Sequence, residues 1–159
     1  MLKIPKNIFF FLILSFAIYC AIITGKSWDE GSHILLGKER LSYLFSLGLN
    51  ELREPFWNSH HHPAISYTLN AFILSLFPTK FTFEISHLFN LSISLSAVFG
   101  ISKISKELFN KKVSIIVFII FLLYPIYFGH MAINANDTVV AACNVWITYL
   151  ILRYFNQNK

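Results

Sequence analysis

The chain is poor in charge. Of its 159 residues only 13% are Asp, Glu, Lys or Arg, while 55% are hydrophobic. A soluble domain of this length carries nearer a quarter charged residues. The apolar residues also fall in long blocks, so the class expected is an integral membrane protein. Cysteine is scarce. Cys20 and Cys143 both lie inside apolar blocks, with no CxxC or Cys/His zinc spacing; this excludes a disulfide framework or a zinc finger and leaves both to be read as small buried apolar residues. The net charge is +5, but the Lys and Arg are scattered and form no stripe. Nucleic-acid binding needs a basic footprint, so that class is excluded too. Aspartate is the rarest acid, with only Asp29 and Asp137 in the whole chain.

What is present is a succession of helix-sized apolar segments. Residues 8–23, IFFFLILSFAIYCAII, follow Lys3 and Lys6. A signal peptide would need a small-x-small cleavage site, and a lipoprotein signal would not place bulky Tyr19 before Cys20. An uncleaved transmembrane helix over 7–24 is expected, close to the ~20 residues that a span requires. Residues 28–49 read as an amphipathic helix in the interface. Ser27 is its N-cap, with Glu30 three residues on completing a capping box. Further spans are expected over 81–102, 113–128 and 138–155.

The block at 62–77 is ambiguous. It is short between its two prolines and carries Ser66, Tyr67, Thr68 and Asn70. Charge decides between spanning and lying on the surface, because loop Lys and Arg favour the cytoplasmic side. If 62–77 does not span, eight of the 13 basic residues lie inside: Lys3, Lys6, Lys103, Lys106, Lys111, Lys112, Arg153 and Lys159. The expected architecture is therefore an all-α polytopic membrane protein. It has four transmembrane helices, two extracytoplasmic juxtamembrane helices (28–49 and 62–77), and both termini in the cytoplasm. Asp29, Asp137 and all six His then fall on or near the extracytoplasmic face, which points to a site at that membrane surface.

Three clusters carry chemistry. Asp29 and Glu30 lie four and three residues before His33, so all can share a helix face. They read either as a general base with an assisting acid or metal ligand, or as helix-capping acids. His60, His61 and His62 precede Pro63. They suit a divalent metal, or a polar loop in which His62, at a Pro-led helix start, meets a phosphate. The segment at 128–138, FGHMAINANDT, brings His130 and Asp137 into a loop between spans. Asp137 reads equally as a cap of the last helix. His87 and Glu84 sit at the outer end of the second span, where an ionisable residue is a site candidate.

The motifs WDExxH, HP, HLFN, KELFNKK and PIYFGHMAINANDT occur here in that order. In this order they resemble the N-terminal part of GT-C membrane glycosyltransferases, and within these the bacterial relatives of the dolichyl-phosphate-mannose protein mannosyltransferases, which include the lipid A aminoarabinose transferases. The resemblance covers essentially the whole chain. It implies a partial GT-C fold and transfer of a sugar from a polyprenyl-phosphate donor to a protein or lipid acceptor outside the cytoplasm, at a bacterial inner membrane. It implies Asp29 as catalytic base with Glu30 as its partner, and His62 at the donor phosphate. Gly129, His130 and Asp137 match the second loop, where Asn136 stands in place of an expected Lys. His33 and His87 join the substrate-binding set. Either no cofactor or a divalent metal on Asp29 and His33 is expected. Members of that family carry more spans than these four, so the chain is expected to be a fragment or to pair with a second polypeptide that supplies them. Two other classes compete: a His-rich metal-binding or transport protein using His33, His60, His61, His62 and His130, and a non-catalytic membrane subunit.

Overall fold

The computed structural model describes residues 6–50 and 64–157. These residues form seven α-helices and one 3-10 turn, with no strand among them: α1 Lys6–Ile23, α2 Glu30–Phe45, α3 Ala64–Ser75, the turn Thr79–Phe81, α4 Thr82–Leu108, α5 Lys111–Leu123, α6 Pro125–His130 and α7 Asp137–Gln157. Two segments are long and apolar enough to cross a membrane, Thr79–Leu108 and Asp137–Gln157.

The expected single helix over 113–128 is two. Pro125 lacks the N–H that a continuous helix needs, and its ring forces the preceding residue out of the helical region. Tyr124 accordingly adopts φ −64, ψ 115, ending α5 after Leu123. Pro125 then serves as the first residue of α6. At the other end Asn110 caps α5, its side-chain oxygen accepting from the N–H groups of Lys112 and Val113.

The amphipathic helix is also shorter than the 28–49 expected. It stops at Phe45 because Leu47 and Gly48 both take positive φ, and the Gly48 N–H turns back to the Tyr43 carbonyl at 3.0 Å. That left-handed stop is the usual way a helix satisfies its last carbonyls. Residues 62 and 63 of the expected second juxtamembrane helix lie outside the described residues; its remainder is α3. Cys143, expected inside, is exposed on α7, while Cys20 is half-buried.

α4 is the organising element. It packs against α7, α5 and α1, and touches α3, while α2 lies along α3. The core gathers Ala17, Ala21, Leu91, Val98, Leu122, Met131 and Ala132. Small residues on α1 let it approach α4 closely, the packing that membrane helices favour. The buried side of α4 carries a polar stripe, Ser86, Asn90 and Ser94, at helical spacing. Each member ties a neighbour down: Asn70 Nδ2 donates to Ser86 Oγ at 2.9 Å, Asn90 Nδ2 to the Ala132 carbonyl at 3.1 Å, and Ser94 Oγ to the Met131 carbonyl at 2.9 Å. The loop after α6 is thus pinned to α4, and α3 with it.

α2 and α3 come closest at Gly37. A Cβ there would lie 2.8 Å from the Tyr67 carbonyl carbon and 3.1 Å from the Ala71 Cβ. The obstacle is backbone, so it cannot swing aside. Gly37→Ala is expected to destabilise the fold by about 1–3 kcal/mol, the usual cost of overpacking. Gly129→Ala, whose Cβ would meet nothing within 4 Å, is the control and should leave stability unchanged. Denaturant unfolding of both variants in detergent micelles checks this.

Candidate functional site

The first two acids of the WDExxH motif part company. Glu30 opens α2 and is 3% exposed; Asp29 precedes the helix, and its side chain keeps 35% of its exposure. Successive helical residues point roughly 100° apart, so one turns into the bundle and the other stays at its surface.

Glu30 meets His87 of α4, which is 0% exposed. Glu30 Oε2 lies 3.0 Å from His87 Nε2, and His87 Nδ1 lies 2.9 Å from the Ala21 carbonyl. A carbonyl only accepts, so Nδ1 carries a hydrogen and donates it. The Nε2–Glu30 bond then holds one proton: either Nε2–H donates to the carboxylate, or the carboxyl O–H donates to Nε2. The Ala21 carbonyl is in the last turn of α1, where helix carbonyls lack intrahelical partners. One imidazole therefore joins the end of α1, the start of α2 and the middle of the bundle. Glu30 Oε1 is buried and takes no hydrogen bond among the described residues.

The expected capping box forms by half. Glu30 Oε2 accepts from the Ser27 N–H at 3.3 Å, which is the return bond of such a box. The forward bond is missing, because Ser27 Oγ donates instead to Asp29 Oδ1 at 2.6 Å. Asp29 is the residue at the cap position, yet its side chain accepts no backbone N–H of α2. Its backbone carbonyl takes the Ser32 and His33 N–H groups. Helix capping therefore accounts for Glu30's return bond and leaves the Asp29 carboxylate without a capping role. Asp29 Oδ2 faces His33 Nε2 at 3.9 Å, an ion-pair distance when the ring is protonated.

Above Asp29 the two loops converge on Tyr67 of α3. The His33 imidazole stacks on the Tyr67 ring with centroids 4.7 Å apart and planes 16° apart. The Tyr67 hydroxyl donates to Asn136 Oδ1, in the loop before α7. Burial raises the Tyr67 phenol pKa above its ordinary value, partly opposed by the hydrogen bond to Asn136; the charges of Asp29 and Asp137 raise it further and that of Arg40 lowers it. The two aspartates of the chain thus act on one phenol. Asn136, which replaces the Lys suggested by the resemblance, is the residue that fixes this loop to α3.

Asp137 is exposed and is the first residue of α7. Asn134 Oδ1 accepts its N–H at 3.1 Å, and Asn134 Nδ2 donates to Asp137 Oδ2 at 2.9 Å. Asn134 is therefore the cap and Asp137 its reciprocal partner. His130 ends α6 with an exposed ring, and its carbonyl accepts the Ile133 and Asn134 N–H groups. His60, His61 and His62 lie outside the described residues. Among the described residues no three His, Cys, Asp or Glu converge to hold a metal ion; Asp29 and His33 face each other as a pair.

Sequence reasoning passed over Tyr67 and Ser27 as chemistry. The signal for Tyr67 was available: Ser66, Tyr67 and Asn70 are polar at helical spacing in an otherwise apolar helix, and all three are buried. Such a stripe faces protein, because hydrocarbon leaves its polar atoms unsatisfied.

No protein-family model matches the chain, and no curated protein or solved structure matches it either.

Removing one member of the Glu30–His87 pair strands the other in the core. His87→Leu is expected to cost about 3–5 kcal/mol, the usual cost of breaking a buried pair. The double variant Glu30→Met/His87→Leu should cost less than the sum of the single variants. A double-mutant cycle read by unfolding in micelles measures that coupling, and simple additivity would contradict the pairing.

Proposed function

We propose that the chain carries the acceptor-activating site of a GT-C-type membrane glycosyltransferase that uses a polyprenyl-phosphate sugar as donor. Four segments cross the membrane: α1, α4, the broken α5–α6 pair, and α7. The helices α2 and α3 lie on the extracytoplasmic face.

One observation carries the reading. Asp29 stays accessible at the surface of a buried, hydrogen-bonded cluster, and its carboxylate is not consumed by helix capping. A carboxylate held on Oδ1, with Oδ2 in no capping bond and 3.9 Å from His33 Nε2, suits a general base. In the proposed step, Asp29 Oδ2 takes the proton of an acceptor hydroxyl as that oxygen bonds to the anomeric carbon. The bond from that carbon to the phosphate oxygen breaks, the configuration inverts, and polyprenyl phosphate leaves. His130, which is exposed at the end of α6, and His62 are the groups assigned to the leaving phosphate, where hydrogen-bond donors stabilise developing charge. Glu30 and His87 are too buried to touch either substrate, so their part is to hold the site.

The membrane setting is supported by what the helices expose. Phe11, Phe16 and Ile23 on α1, Ile116 and Ile120 on α5, and Ile147, Leu150 and Ile151 on α7 are all more than 45% exposed. Contiguous apolar surface of this kind needs lipid or protein cover. Trp28, 94% exposed beside Asp29, suits the headgroup level where tryptophan collects. A tryptophan at that level supports a donor anchored in the bilayer as the partner of Asp29.

Asp29→Asn, assayed in native membranes by transfer of labelled sugar from a polyprenyl-phosphate donor, should lose about 10²–10⁴-fold in rate, the usual contribution of a general base. Undiminished transfer overturns the assignment.

A further inference from the structure

Asp29 is joined to the bundle core by an unbroken run of hydrogen bonds. It starts at the Ala21 carbonyl in the last turn of α1, passes through both nitrogens of His87, and reaches Glu30 Oε2. The same oxygen accepts the Ser27 N–H, and Ser27 Oγ donates to Asp29 Oδ1. The members grow more exposed along the run. His87 and Glu30 are buried, Ser27 is half-buried, and Asp29 reaches the surface.

Each bond removes a freedom that the Asp29 side chain would otherwise have. His87 is anchored at both ends, so its ring cannot turn. Glu30 is therefore held, and through its return bond it fixes the Ser27 backbone. Ser27 precedes the helix and has no helical hydrogen bond of its own to set its conformation. Once its backbone is fixed, its hydroxyl selects one oxygen of Asp29. With Oδ1 engaged, Oδ2 lies 3.9 Å from His33 Nε2. Without that bond the carboxylate plane would turn freely about Cβ–Cγ, and its lone pairs would face an acceptor hydroxyl only part of the time. Catalytic geometry depends on holding such groups in place through a supporting shell.

We propose that Ser27 and His87 are positioning residues of the Asp29 site, Ser27 by its own bond to the carboxylate and His87 through Glu30, and that together they fix the plane in which that carboxylate meets the acceptor hydroxyl. This rests on the reading of Asp29 as the base. Neither residue touches substrate, so both act on the rate of the chemical step and leave substrate binding alone.

The test uses the full chain in native membranes with a polyprenyl-phosphate sugar donor. Ser27 lies outside the helices and is half-buried, so Ser27→Ala should keep the wild-type melting temperature. It should lower kcat about tenfold, the worth of one hydrogen bond to an ionised group at the low end of its range, with KM for donor and acceptor unchanged. Ser27→Thr restores the hydroxyl and should recover most of the rate. Hydrogen exchange at the Ser27 amide, protected in the wild type, should accelerate in Glu30→Gln and His87→Gln, whether or not those variants lose stability. If Asp29→Asn abolishes transfer while Ser27→Ala keeps the wild-type kcat, the positioning role falls and the base assignment stands. A Ser27→Ala variant whose loss lies wholly in KM, or one that Thr does not rescue, also overturns the positioning role. If Asp29→Asn transfers normally, both readings fall together.

Discussion

The bond between His87 and Glu30 is the constraint on which the arrangement depends. Three helices meet at it, and both of its side chains are buried. An isolated charge there would be prohibitive, but a shared proton between the two groups leaves the pair neutral overall. The imidazole's second nitrogen satisfies an end-of-helix carbonyl that would otherwise be orphaned in apolar surroundings. Burying an ionisable pair adds little net stability, yet it penalises every packing in which the two partners are apart. The pair therefore ties the start of α2 to α4, and through the Ala21 carbonyl to the end of α1, more than it strengthens the bundle.

The same logic repeats along α4 with weaker groups. Ser86, Asn90 and Ser94 each reach a neighbour: Asn70 on α3, or a carbonyl of the loop after α6. Tyr127 reaches back to the Ser94 carbonyl at 2.9 Å. Apolar side chains pack without directional preference, so they fill the space between helices without fixing rotation about their axes. Directional bonds supply what packing does not. On α3, Tyr67 completes the pattern, stacked on His33 and bonded to Asn136. The first turns of α2 and the loop before α7, each next to an aspartate, are thereby brought to one phenol.

Local rules were legible wherever a residue acts within its own turn of chain. Pro125 marks a boundary in the sequence, and the structure breaks the helix there. Gly48 likewise stops α2 four residues before the amphipathic pattern runs out. The capping box around Ser27 was half legible: its return bond is local, but its hydroxyl went to Asp29. His33 and Tyr67 were not legible as partners, since a ring contact between residues 34 apart leaves no periodic trace.

The sequence by itself determined the all-helical class and the apolar character of α4 and α7, because these follow from composition and periodicity over a few residues; α4 runs on to Leu108, past the limit expected at 102. It also marked Asp29, Glu30, His33, His87 and Asp137 as unusual, since ionisable groups are costly among apolar blocks. Only the tertiary structure decided which of the two adjacent acids is accessible. Asp29 and Glu30 have the same charge and neighbouring places in the chain. They differ in the direction each points once α2 is docked, and that direction is set by His87, 57 residues away.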